Sequence, residues 1–145
     1  MAKSSLQIKV EETLLKYINR FVRYARFAHL TKDRRELLIG TFLYLLDEGD
    51  LIPDDVPNIG YMDDLTVFVN IAAAFVKDGQ AIPGVCNPEE VKEDLGFLEK
   101  NKGLMYGQQV FSVDVIRKKG KSAVDLGELV DQIKIKYSQL GKVDA

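Results

Sequence analysis

The residues best equipped for chemistry in this chain are carboxylates, and they are bunched. Asp47, Glu48, Asp50, Asp54 and Asp55 crowd one short stretch, and Asp63 and Asp64 follow closely. Acids held together repel one another, and a hard cation such as Mg²⁺ or Ca²⁺ relieves that repulsion through oxygen ligands. Asp50, Asp54, Asp63 and Asp64 are the candidate ligands. Their spacing does not impose a metal site. An EF-hand loop requires glycine at its sixth position, and counting from Asp47 that position is Ile52, with Pro53 next. A structural use fits the same residues. Aspartate at a helix start accepts hydrogen bonds from exposed N–H groups and suits the helix dipole. On this reading Asp50 and Asp54 bond the amides of a turn, Asp63 or Asp64 caps the next helix, and no cofactor is needed; a divalent cation is the alternative.

A second acid group comprises Glu89, Glu90, Glu93 and Asp94 with Glu128 and Asp131. Its pattern is similar to the EExxE and ExxD ligand pairs of the all-α nucleoside-triphosphate pyrophosphatases, which would imply a Mg²⁺-dependent hydrolase. The interval between the two pairs is longer than that family uses, and Glu89 and Glu90 also suit the first turn of a helix without any metal. Cys86 directly precedes a helix-capping asparagine, Asn87, where the dipole lowers a thiol pKa, and His29 is the sole histidine that could serve it. No third orienting group is evident, so a buried or half-buried thiol is the plainer reading. One cysteine and one histidine do not make a zinc site. The patterns GxSxG and GxxxxGK[ST] are absent.

The remaining chemistry is charge. Net charge is −2, but residues 1–32 carry +5, residues 33–100 carry −10 and residues 101–145 carry +3. The basic ends either lie over the acidic corner, the charges attracting within the fold, or meet separate partners. Lys9, Lys16, Arg20 and Arg23 gather on one face of a helical wheel, with Arg26 nearby and Phe27 as an anchor. This face could meet a protein partner or an anionic membrane surface. Nucleic acid fits less well, because the chain is acidic overall and Tyr17 and Tyr24 fall on the apolar side. Arg117, Lys118, Lys119 and Lys121 read as a solvated turn.

Helices must position these groups. At 145 residues the chain can bury a core without disulfides or metal, and one domain over 1–145 is expected. The lone cysteine and the acidic residues near the start point to a reducing, cytoplasmic setting. The apolar runs near 37–46 and 65–76 are shorter than the ~20 residues a membrane span needs. Steps of three and four among Leu14, Tyr17, Ile18, Phe21 and Tyr24 predict a helix over 10–29. Asp33 with Glu36 has capping-box spacing before a run that is apolar on nearly every side, and Gly40 marks a close helix contact. The run from Leu65 to Val76 is again apolar all round and stops at Asp78 and Gly79, so the two runs form a core hairpin. Asn87, Pro88, Glu90 and Gly103 delimit a further helix, and Asp125 with Glu128 opens a last one reaching Leu140. Residues 108–118 alternate as a strand would, yet no second strand exists to pair with them, so helix is favoured there.

Between the two central runs lies a stiff corner. Pro53 and Pro57 fix φ and Gly60 permits angles other residues avoid. The order Tyr44, Leu45, Asp50, Leu51, Ile52, Pro53, Asp54, Val56, Pro57, Gly60, Tyr61, Asp63, Asp64 resembles the motif of the YkvA-like family of uncharacterised bacterial proteins, over residues 44–65 only. Glu48 and Gly49 stand where many members have Ser and Pro. The resemblance implies a small helical module, sometimes membrane-associated, and brings no catalytic roles. The expectation is an all-α bundle of five or six helices, with a family-like core over 34–79 and a helical extension over 87–141. Its expected role is a non-catalytic binding or scaffold module with a protein partner, against a peripheral membrane protein or a Mg²⁺-dependent hydrolase.

Overall fold

Apolar residues at steps of three and four become six α-helices in the computed structural model, which describes residues 5–26, 30–46, 61–79, 81–101, 113–122 and 124–141. They are α1 (Ser5–Tyr24), α2 (Lys32–Leu46), α3 (Met62–Phe75), α4 (Pro88–Lys100), α5 (Val113–Lys119) and α6 (Leu126–Lys136), with 3₁₀ turns at Lys77–Gly79 and Ser138–Leu140. The described residues contain no strand, only an isolated antiparallel bridge between Ile82 and Cys86. The alternating segment is helical over Val113–Lys119, and residues 108–112 of it lie outside the described residues.

Local signals decide the helix ends, with three corrections. α1 spans Ser5–Tyr24, not 10–29: it begins ahead of its apolar stripe and closes in a turn at Ala25 and Arg26, whose amide reaches Arg23 O at 3.2 Å. α2 is capped by Thr31, whose hydroxyl oxygen accepts from Arg34 N at 3.2 Å, so Asp33 is inside the helix and free to pair elsewhere. α3 starts at Met62 with Tyr61 at the capping position and no side-chain cap, so Asp63 and Asp64 are first-turn residues instead of caps. By contrast Asn87 accepts from Glu89 N and Glu90 N at 2.9 and 3.3 Å, with Pro88 behind it, as its sequence signals require. Asp125 likewise accepts from Gly127 N at 3.0 Å.

Helices apolar on all sides need cover on all sides. α3 packs against α1 and α4, α2 packs against α5 and α6, and the two touch each other as the expected hairpin. Phe21 of α1 stands edge-on to Phe68 of α3 at 5.0 Å and beside Phe75 at 5.5 Å, while Tyr24 meets Phe75 edge-on. Each such fully buried side chain contributes about 1.5–3 kcal/mol. Buried residues from Val10 to Tyr137 form one continuous apolar cluster.

The most extensive helix contact, α2 with α5, rests on two glycines. A Cβ on Gly40 would lie 1.9 Å from Ile116 O, and one on Gly120 would lie 1.6 Å from Glu36 O. The two backbones therefore touch where neither carries a side chain. Gly40→Ala and Gly120→Ala should each cost about 3 kcal/mol or more, because backbone has to move. Gly96→Ala meets nothing within 4 Å and should gain about 0.5–1 kcal/mol from helix propensity. Urea unfolding of the three variants beside the parent checks both signs.

Candidate functional site

The basic stripe of α1 and the acidic start of α4 meet. Glu90 and Asp94 are one turn apart on α4 and face Lys16 and Arg20 on α1. Lys16 Nζ lies 2.5 Å from Glu90 and 3.3 Å from Asp94, and Arg20 Nη1 donates to Glu90 Oε2 at 2.9 Å. The Tyr17 hydroxyl donates to Asp94 Oδ2 at 2.5 Å from beneath this layer. Lys9 sits over the Phe97 ring at 4.8 Å from its centroid. Four ionised side chains and a phenol thus form one fastening between the first and fourth helices.

The fastening sets the local protonation chemistry. Burial alone would push the Glu90 carboxyl up, but the hydrogen bonds and charges of Lys16 and Arg20 outweigh it and hold the group below its ordinary value of 4.5. Burial, then the Asp94 hydrogen bond and charge, raise the Tyr17 phenol well above its usual range. Cys86 is 3% exposed, and burial pushes its thiol up to about 11, with the charge of Glu90 adding to the rise and those of Arg20 and Arg34 opposing it. Desolvation is the largest influence on this thiol, and its burial agrees with the plainer reading of Cys86 as a buried thiol. A shallow hollow of about 420 Å³ lies beside it, lined by Arg20, Arg23, residues 81–87 and Glu90.

A second polar set closes over the ends of the helices that bracket residues 47–60. Tyr137 donates to Asp64 Oδ2 at 2.7 Å, and Asp64 is only 5% exposed. Lys136 Nζ donates to the carbonyl of Leu45 at the end of α2, and Gln139 Nε2 donates to the Tyr61 hydroxyl just before α3. Lys136 at the end of α6, Tyr137 just after it and Gln139 in the following 3₁₀ turn therefore hold both flanks of residues 47–60.

Of the acids first considered as cation ligands or corner residues, Asp64 is in this tertiary bond and Asp63 is half-buried in the first turn of α3. Asp50, Pro53, Asp54, Pro57 and Gly60 lie outside the described residues, as do His29 and Phe27. On α1, Lys16 and Arg20 pair with α4 and Lys9 lies over Phe97, while Arg23 and, in the turn after the helix, Arg26 are exposed. The acidic corner over which the basic ends were expected to lie is outside the described residues; Lys16 and Arg20 of the first segment pair with acids of α4. Glu90 turns to Lys16 and Arg20, while Asn87 caps the helix. Glu128 and Asp131 are exposed at the start of α6, beside Arg26 around a separate hollow of about 540 Å³. Among the described residues no group of three or more His, Cys, Asp or Glu could hold a metal ion, and no helix is long and apolar enough to cross a membrane. Sequence reading missed Tyr17 and Tyr137 as hydrogen-bond donors; each sits on an apolar stripe, and only the acid that meets its hydroxyl marks it as more than core.

Residues 35–69 match a family described as "Protein of unknown function (DUF1232)". That span holds most of α2, the corner and the first half of α3, and it overlaps the segment whose motif resembles the YkvA-like family. No curated protein and no solved structure matches the chain.

Two measurements follow from this geometry. Because the carboxyl of Glu90 has a depressed folded value, its stabilising effect is present above its unfolded value and is lost as pH falls through the folded one. Glu90→Gln should thus be less stable than the parent at pH 7, with the gap closing below pH 4.5 in urea melts at both ends of that window. Tyr137→Phe removes the donor from the buried Asp64 and should cost about 1–3 kcal/mol in the same assay.

Proposed function

We propose that the chain is a non-catalytic helical binding or scaffold module that works through a protein partner in the cytoplasm. The observation that carries this reading is the engagement of Glu90 and Asp94 by Lys16, Arg20 and Tyr17. The acids that a Mg²⁺-dependent reaction would draw on at α4 are already neutralised by cations of the same chain, and their work is to join two helices. Asp64 is used in the same manner by Tyr137. Cys86, buried and with a raised pKa, is a poor nucleophile and fits a reducing compartment in which it stays a thiol. The same pairing takes two of the five cations that a membrane-surface role for α1 would use, which favours a protein partner over lipid.

Two outcomes are expected. Millimolar Mg²⁺, Mn²⁺ or Ca²⁺ leaves Tm unchanged, whereas a site with a dissociation constant about a hundredfold lower than the added cation would contribute about 2.7 kcal/mol and raise Tm by roughly 5–10 °C. The tagged full-length protein retains a discrete protein from a lysate of its native host at physiological salt. A cation-dependent rise in Tm coupled to phosphoester hydrolysis, both removed by Glu90→Gln, would overturn the reading.

A further inference from the structure

We infer that α4 is a charge-held strap that lifts from the body as a unit while the other helices stay folded, and that its lifting uncovers Cys86; this holds whether or not the chain binds a protein. Of the five helices longer than ten residues, α4 has the weakest apolar grip. It buries only Val91 and Leu98 of its thirteen residues, whereas α3 buries nine of fourteen and the shorter α6 buries four of eleven. Phe97 adds one half-buried ring, while Leu95 and Gly96 face water. Segments with few buried apolar contacts open first, at a free energy below that of global unfolding.

Charge supplies much of the remaining hold. Glu90 and Asp94 reach Lys16 and Arg20 of α1 at 2.5–3.3 Å. Lys16, Arg20 and Glu90 keep 28–30% of their side-chain surface in water, so dissolved ions screen them. Glu90 is shared between two cations, and Asp94 also accepts from Tyr17. Contacts that share partners in this way are made and lost together.

A hinge stands at the N-terminal end of the strap. Gly84 is exposed at φ +76°, and no atom lies within 4 Å of the position a Cβ would take there. Glycine turns at such a point without steric cost. Rotation at Gly84 carries Val85 and Cys86 with α4. It breaks the two hydrogen bonds of 2.9 Å that join the backbones of Ile82 and Cys86, both of which water can replace. Cys86, 3% exposed in the closed form, is the one cysteine of the chain. Access to that thiol is therefore set by the strap, and through the strap by ionic strength.

Native-state hydrogen exchange of the full chain, followed by NMR in sub-denaturing urea, tests this beside the rate at which an aromatic disulfide reagent labels Cys86. The amides from Asp94 to Leu98 should exchange through an opening that depends weakly on urea and is populated at least about tenfold more than the global unfolding reported by α3. Raising NaCl from about 0.1 M to about 1 M shortens the screening length from about 10 Å to about 3 Å. Relative to α3, both the exchange of these amides and the labelling of Cys86 should then rise about fivefold. Glu90→Gln/Asp94→Asn should have the same effect at the lower salt and remove the salt response. Ile133→Val, in the buried face of α6, makes global unfolding about fivefold more frequent and should leave both readouts unchanged. If both instead follow Ile133→Val, or share the urea dependence of α3, α4 opens only with the whole molecule and the proposal falls. It falls equally if high salt slows the exchange of α4, because apolar cover then holds the helix, or if α4 exchanges early while Cys86 is labelled only through global unfolding.

Discussion

At Gly40 and Gly120 two helix backbones come into contact without intervening side chains, and the arrangement of the C-terminal half follows from that contact. α5 is only seven residues long, far below the length at which an isolated helix is stable in water. It persists because it lies directly on α2, with Ile116 fully buried at the crossing. The close approach fixes the direction in which the chain leaves α5. The turn at Gly120 to Ser122 then delivers α6 to the remaining open side of α2, where Leu129 and Ile133 complete the cover. A wider crossing would separate Arg117 from Asp33. Packing thus decides where charge is displayed.

Charge in turn decides how the N-terminal half is closed. Each α1–α4 ion pair is part-exposed, and a single pair of that kind is worth about 0–1 kcal/mol. Their value lies in being joined. Glu90 is shared by Lys16 and Arg20, Lys16 also reaches Asp94, and Asp94 accepts from Tyr17, which is itself part of the core. A shift of α4 by one residue would break all of these together, so the set specifies register more than it supplies stability. The positive excess of the first segment and the negative excess of the middle are in part this one joint.

Signals confined to a few neighbouring residues were legible before any coordinates. Asn87 and Pro88 announce α4, Asp125 announces α6, and the all-round apolar runs announce α2 and α3, because capping and burial pattern are local properties of the chain. Asp33 was misread for a physical reason: the spacing to Glu36 permits a capping box, but Thr31 lies earlier and takes the first free amide, leaving Asp33 for Arg117. Gly40 marked a close contact, yet its counterpart Gly120 could not be recognised from spacing across so long a separation. The same holds for Tyr137 with Asp64 and for Lys16 and Arg20 with Glu90. In each case one partner was singled out, and the fold alone chooses the other. The acidic stretch 47–60, read from its prolines as a stiff corner, lies outside the described residues.

The span that matches a known family is not sufficient to fold by its own surface. α2 and the first half of α3 are apolar on every side, and two such helices cannot cover each other fully. Here α1 and α4 cover α3 while α5 and α6 cover α2, and residues from the end of α6 hold Leu45, Tyr61 and Asp64 on either side of the corner. Every one of these covering helices lies outside residues 35–69. Among its described residues the matched span therefore supplies the two central helices, and Arg35, Leu43 and Leu46 of α2 share the surface with the flanking helices.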